Sequence, residues 1–201
     1  MNSPERILAA LPRGSVLSIC GAGGKTGLVH ELRDGYRLEG KRVLVTTTAH
    51  MMNEGNLCSG PDAVIRSLDG NGYAFAGRTD PVNSRKIISL SEDGLREAAA
   101  RADIVLIEAD GARHMLFKVP YPHEPVISPL TTHIAVVYSR GAEGRRISEC
   151  TYNAEGAAEV LGVSTDAVLT REMIHRALRE TYFDSFEKMF PGIPVYLVPR
   201  G

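Results

Sequence analysis

Apolar residues recur along this chain in two rhythms. Consecutive apolar residues form short runs, among them VLSIC from Val16, VLV from Val43, IVLI from Ile104, IAVV from Ile134 and VYLV from Val195. Between the runs lie stretches whose apolar residues fall three or four apart, as Leu28, Leu32 and Tyr36 do within Lys25 to Leu38, with Gly40 near the end. The first rhythm predicts strands buried on both faces and the second predicts helices with one apolar stripe.

Taken in order, the pattern predicts a strand from Val16, a helix over Lys25 to Leu38, and a buried strand over Val43 to Thr47. Pro61 to Leu68 reads as a short helix entered from Ser59 or Asp62, after which Gly70 to Gly72 turns the chain into a strand over Tyr73 to Ala76. Ser89 followed by Glu92 makes a capping-box pattern before a helix over Glu92 to Arg101. Further strands are expected at Ile104 to Asp110 and Thr132 to Tyr138. Helices follow over Ala154 to Leu161, stopped by Gly162, and over Arg171 to Tyr182, capped by Thr170. The strand PVYLV follows a Pro191-Gly192 turn. Strands alternating with helices imply an α/β fold, a mostly parallel sheet with helices on both faces, and ligands bind such sheets outside the carboxyl ends of the strands. No repeat, low-complexity tract or composition shift interrupts the chain, so residues 1–201 read as a single domain.

Composition narrows the function. With 43% hydrophobic residues in 201, the chain can bury a core without staples. Its 23 Lys and Arg residues against 24 Asp and Glu are scattered, which leaves no basic footprint for nucleic acid. Cys20, Cys58 and Cys150 are far apart and form no CxxC, so neither a disulfide framework nor a zinc site is expected. The opening MNSPERILAALPRGS lacks the core of a leader, and no apolar run reaches membrane length. The expectation is a soluble cytoplasmic protein with reduced thiols and no membrane partner.

The chemistry concentrates where the first strand ends. In GAGGKT, Gly21, Gly23 and Gly24 can take positive φ and carry no side chain, so that backbone N–H groups, including those of Ala22 and Gly27, can close around phosphate oxygens at the start of a helix. Lys25 supplies counter-charge and the Thr26 hydroxyl is placed to hold Mg²⁺. The spacing is GxxGKT, because Ile19 stands where the usual P-loop has its first glycine. This compressed loop resembles that of the Mur ligases and folylpolyglutamate synthetases, which bind ATP.

The strand Ile104 to Asp110 resembles a Walker B element that delivers Glu108 and Asp110 to the same sheet edge. Asp110, or else Glu108, would reach Mg²⁺ with Thr26, and the other acid would orient the attacking group. Asp110-Gly111 also satisfies the needs of a simple turn. Thr46, Thr47, Thr48 and His50 end the second strand, where a hydroxyl can bind Mg²⁺ or a phosphate and a histidine can move a proton or bind an acceptor. Threonine is equally a good strand residue.

In order, GAGGKT, VLVTTTAHM, EADGAR and HEPVI resemble the YqeC-like family of accessory proteins for selenium-dependent molybdenum hydroxylases, specifically from about Ser15 to Ile127 and more loosely through Gly156 to Leu178. The resemblance implies a P-loop NTPase-like three-layer sandwich that binds ATP or GTP with Mg²⁺ and takes part in molybdenum-hydroxylase maturation. An apo hydroxylase or a maturation protein would be its partner and molybdopterin a substrate. Where the family pattern would place a histidine-arginine pair, this chain has Cys150-Thr151-Tyr152-Asn153, and no Asn-Lys-x-Asp-like base-reading element follows PVYLV.

The proline-rich segment GARHMLFKVPYPHEPVI follows the acids and reads as an ordered loop carrying Arg113, His114, Lys118, His123 and Glu124. In the family pattern Lys118 and His123-Glu124-Pro125 recur, and with His50 they are the candidates for receiving a second substrate. As a pair, His123 and Glu124 read as surface residues rather than metal ligands. Arg140, Arg145 and Arg146 lie in a glycine-broken loop that either closes over phosphates or is simply solvated. The expected function is Mg²⁺-dependent nucleotide hydrolysis or phosphoryl transfer, with Lys25, Glu108 and Asp110 as the catalytic groups. The alternatives are a nucleotide-gated cofactor chaperone and a small-molecule kinase or ligase.

Overall fold

The computed structural model of the protein describes residue 6 and residues 8–201; the part of the opening segment that falls on residues 1–5 and 7, on which the expectation of no leader rests, lies outside them. The chain runs through β1 (Ser15–Gly21), the helix Lys25–Leu38, β2 (Val43–Thr47), β3 (Met51–Met52), β4 (Leu57–Cys58) and the helix Pro61–Asn71. Next come β5 (Tyr73–Ala76), β6 (Arg78–Thr79), β7 (Lys86–Ile88), the helix Glu92–Ala99, β8 (Ile104–Glu108), β9 (Phe117–Lys118) and β10 (His133–Ser139). The helix Ile147–Cys150, β11 (Thr151–Tyr152), the helices Ala154–Leu161, Arg171–Leu178 and Asp184–Met189, and β12 (Val195–Arg200) complete it.

Seven strands form one sheet in the order β12-β10-β1-β8-β2-β5-β4, and every pairing in it is parallel. Strict alternation divides the apolar runs between its faces. Leu17, Ile19, Val43, Val45, Ile104, Leu106, Ala135 and Val137 point to the side covered by Leu28, Val29, Leu32 and Tyr36 of the Lys25–Leu38 helix. On the other side, Val16, Leu44, Val105 and Ile107 meet the helices Pro61–Asn71 and Glu92–Ala99, while Cys20, Ile134, Val136 and Tyr138 meet the helices of residues 154–189. The result is the expected three-layer α/β sandwich. Among the described residues no helix is long and apolar enough to cross a membrane.

Helix ends differ in detail from the sequence pattern. The Glu92–Ala99 helix is capped by Ser91, whose Oγ accepts from the Gly94 N–H, and not by Ser89. Ser91 stands immediately before the first helical residue, which is where a capping oxygen reaches the orphan N–H groups. The Pro61–Asn71 helix is entered from Gly60, with Pro61 in its first turn, and runs on to Gly72 in the left-handed conformation. Thr170 and Asn153 cap their helices, but the stretch Arg179–Phe183 widens into a π-helical turn. The short strands β3, β6 and β7 form a separate antiparallel sheet, and β9 pairs with β11. Strands of two or three residues leave no periodic signal.

Tyr36 fastens the segment before β1 to this framework. Its buried hydroxyl donates to the Leu8 carbonyl and accepts from the Leu11 N–H at 3.1 Å. Tyr36→Phe leaves both backbone groups without that partner and is expected to cost about 1–3 kcal/mol. Chemical denaturation with the wild type in parallel measures this, and an unchanged midpoint would refute the arrangement.

Candidate functional site

The carboxyl ends of β1, β8 and β2 lie side by side, with Glu108 in register with Ile19 on one side and Thr47 on the other. The turn after β1 is shaped by three glycines at positive φ: Gly21 at 97°, Gly23 at 70° and Gly24 at 130°. A Cβ on Gly21 would stand 2.2 Å from the Val137 carbonyl oxygen, and one on Gly23 would stand 2.5 Å from both the Leu116 oxygen and the Ser139 Cβ. Only glycine fits either position. The Lys25–Leu38 helix then starts with no side-chain cap and no acid in its first turn, so its leading N–H groups are available to an anion.

Behind the turn is a buried charge cluster. Asp110 is fully buried and accepts from the Gly21 N–H with both carboxylate oxygens at 3.1 Å. Lys25 Nζ lies 3.1 Å from Asp110 Oδ1 and also donates to the Gly21 carbonyl at 2.6 Å. Lys118 Nζ lies 3.0 Å from Asp110 Oδ2 and 2.8 Å from Glu124 Oε2, donates to the Gly111 carbonyl, and sits 4.9 Å from the Tyr152 ring centre. Two lysines thus share one buried carboxylate, which offsets the desolvation of all three. Cys20 and Tyr182 close the cluster. Burial, reinforced by the Asp110 charge, pushes both the Cys20 thiol and the Tyr182 phenol well above their ordinary pKa values. The Tyr182 hydroxyl makes no hydrogen bond of good geometry among the described residues.

Glu108 occupies a different place. Its Oε2 faces the Thr26 hydroxyl at 3.4 Å, in front of the cluster. Burial pushes its carboxyl pKa up, partly opposed by the positive charge of Lys25. The structure therefore separates the two acids: Glu108, and not the expected Asp110, lies beside Thr26, because Asp110 is held between Lys25 and Lys118.

The remaining candidates are distributed more widely. The Thr47 hydroxyl donates to the Glu108 carbonyl at 2.8 Å and accepts from the Ala49 N–H, while Thr48 donates to the Val126 carbonyl. Both threonines brace the strand ends. Thr46 is buried and its hydroxyl has no partner among the described residues. His50 is exposed and lies 3.4 Å from Asp80 rather than against either acid. Glu124 joins the cluster through Lys118, whereas His123 is exposed and stacks on Tyr121. Arg113 and His114 take left-handed backbone angles in the loop after Asp110, and the Arg113 guanidinium lies 5.7 Å from the Tyr152 ring centre. Arg140, Arg145 and Arg146 are exposed. Among the described residues no group of three or more His, Cys, Asp or Glu side chains converges on a possible metal position.

Three participants are absent from the sequence reading. Arg200 ends β12 and lies against Gly24; Tyr152 supports both Lys118 and Arg113; Tyr182 faces Asp110. Arg200 carries the signal that marked Glu108, a charged residue closing an apolar run. The two tyrosines carry none, because their place depends on how distant elements pack.

A parallel sheet in which an interior strand, β1, feeds a glycine turn and an uncapped helix defines a P-loop-type α/β protein. The family profile described as YqeC protein matches residues 17–155, more than half of the chain, and the chain belongs to that family. The protein described as "Uncharacterized protein YqeC" from Escherichia coli (strain K12) is 31% identical over 170 residues, covering 81% of this chain and 66% of the relative. The chain thus spans just under two thirds of that relative's length. Among solved structures, that of HypB from Helicobacter pylori in complex with nickel aligns over 98% of this chain and 82% of its own at 14% identity, with a TM-score of 0.39.

Two expectations come from these acids and lysines. Lys118→Met leaves Asp110 and Glu124 without their shared cation, and stability should fall by about 3–5 kcal/mol in denaturant titration. Glu108 binds its proton more tightly in the folded state than in the unfolded one, so its contribution to stability falls as pH rises from the ordinary carboxylate range through the raised value. Glu108→Gln should therefore raise the unfolding temperature at about pH 7.5, with the gain disappearing near about pH 4, below both values. An equal shift at the two pH values would contradict a raised carboxyl.

Proposed function

We propose that this protein binds a nucleoside triphosphate with Mg²⁺ and hydrolyses it or transfers its phosphoryl group, as an accessory factor in the maturation of molybdenum-cofactor hydroxylases. The observation that carries the nucleotide reading is the uncapped helix N-terminus behind the glycine turn, with Lys25 at its side and Thr26 facing Glu108. The maturation setting rests on the family resemblance in the motifs. ATP is the first candidate and GTP the second.

The donors around Thr26 fit Mg²⁺. A hydroxyl and a carboxylate are hard oxygen ligands, two protein groups leave room for phosphate and water, and the buried Glu108 carboxylate bears a desolvation cost that a divalent cation offsets. When bound, the ion supplies neutralising charge at the phosphate oxygens.

The chain's own groups divide the remaining work. The N–H groups from Gly23 to Gly27 orient the phosphates; the Ala22 N–H, expected among them, is instead held by the Val137 carbonyl at 2.9 Å. Lys25 exchanges Asp110 for a phosphate oxygen and neutralises charge as the bond to the leaving group breaks. That exchange leaves no buried charge unpaired, because Lys118 and the Gly21 N–H stay on Asp110. The Asp110 oxygen freed from Lys25 then accepts a hydrogen bond from the attacking water or acceptor hydroxyl. The loop carrying Lys118, His123 and Glu124 borders this position, which suits it to a second substrate such as the phosphate of molybdopterin. The same loop also suits a nucleotide-gated carrier of that cofactor, which would bind nucleotide with negligible turnover.

Calorimetric titration with non-hydrolysable ATP and GTP analogues, with and without Mg²⁺, tests the reading. One nucleotide should bind only with Mg²⁺ and should not bind Lys25→Ala, whose turnover should fall about a hundredfold or more. Absence of binding by both analogues, or a Lys25→Ala variant that binds and turns over normally, overturns it.

A further inference from the structure

The mouth of the glycine turn holds a cation that no motif contains. Arg200 closes β12, next to β10 in the sheet, and its side chain crosses to the first turn of the Lys25–Leu38 helix. A Cβ built on Gly24 would lie 3.1 Å from both Arg200 Cβ and Cγ and 3.7 Å from Nε, and one built on Gly27 would lie 4.0 Å from Nη2. The guanidinium therefore rests over Gly24 and Gly27, on the face of the helix that also carries Glu31 one turn further along.

Its bonding there is sparse. The Arg200 side chain is only 22% exposed, and the partner its guanidinium has among the described residues is Glu31, which is 60% exposed. A guanidinium offers five N–H donors in a planar fork, and Glu31 engages one nitrogen, Nη2. A mostly buried cation with spare donors, beside uncapped helix N–H groups, matches the geometry by which arginine grips phosphate. An exposed carboxylate in high dielectric is a weak competitor for it.

We infer that Arg200 is a nucleotide-binding residue of this site, exchanging Glu31 for the α- or β-phosphate of the bound nucleoside di- or triphosphate. The inference rests on the nucleotide reading above. Lys25 serves the β- and γ-phosphates from inside the turn, and Arg200 serves the nucleoside-proximal end from outside it. The two cations consequently differ in how they respond to loss of the terminal phosphate. Glu31 acts as a built-in competitor that holds the guanidinium in place until nucleotide arrives.

Titration of the full chain with AMPPNP, GMPPNP, ADP and GDP, each with Mg²⁺, tests this on four variants. Arg200→Ala should weaken di- and triphosphate binding alike, by about 10- to 100-fold. Glu31→Gln, which removes only the competing charge from an exposed position, should tighten both by about 2- to 5-fold. Combining the two should give the affinity of Arg200→Ala alone, since without the arginine there is nothing for Glu31 to withhold. Lys25→Ala separates this inference from the one beneath it. If Lys25→Ala abolishes binding while Arg200→Ala stays within twofold of wild type, or while Glu31→Gln weakens binding, Arg200 is a structural strap and the inference is overturned alone. If the wild type binds none of the four, or Lys25→Ala binds normally, the nucleotide reading falls and this one with it.

Discussion

The Asp110 carboxylate is the interaction on which this site depends. It is fully buried, and Lys25, Lys118 and the Gly21 N–H surround it. Each partner belongs to a different piece of chain: Gly21 to the end of β1, Lys25 to the start of the helix, Lys118 to the short strand β9. Removing both cations would leave an uncompensated charge in a low dielectric. The glycine turn, the acidic strand end and the loop beyond it are in this way held in one arrangement by a single group.

That arrangement also explains why two lysines serve one acid. A phosphate-binding lysine that was the sole partner of a buried carboxylate would be costly to withdraw. Lys118, itself fully buried and shared with Glu124, would on the proposed reading keep Asp110 paired when Lys25 turns to another anion. Glu108 is spared from this cluster and faces Thr26 in front of it. The two acids of the strand end therefore do different things, although an alternating pleat would have pointed them the same way. The strand ends at Glu108, and beyond it the Ala109 N–H donates to the Ile19 carbonyl while Asp110 turns back toward Gly21.

The legible part of the fold was the part with period. IVLIE, VLVTT and HIAVV lie in strands buried on both faces, and Leu28, Leu32 and Tyr36 lie on the helix stripe that covers one face. The capping residue of the Glu92–Ala99 helix was misplaced by two positions, from Ser89 to Ser91, because the Ser-to-Glu spacing fits a capping box whether or not the backbone enters the helix there. His50 and His123 read as candidates for receiving a second substrate because they follow a strand end or the acids in sequence; in the structure one pairs with Asp80 and the other stacks on Tyr121.

By itself, the sequence determined that a strand would run through a glycine turn into a helix and that acids would close a neighbouring buried strand, because both are written in residues adjacent along the chain. It determined the alternation of strands and helices for the same reason. Only the tertiary structure decided that Glu108 faces Thr26, that Asp110 sits between two lysines, and that Arg200 lies across Gly24. Apart from Asp110 and Lys118, those pairings join residues separated by scores of positions, and they follow from the order in which strands line up in the sheet. Strand order is set by the packing of whole layers, and no local pattern of polar and apolar residues encodes it.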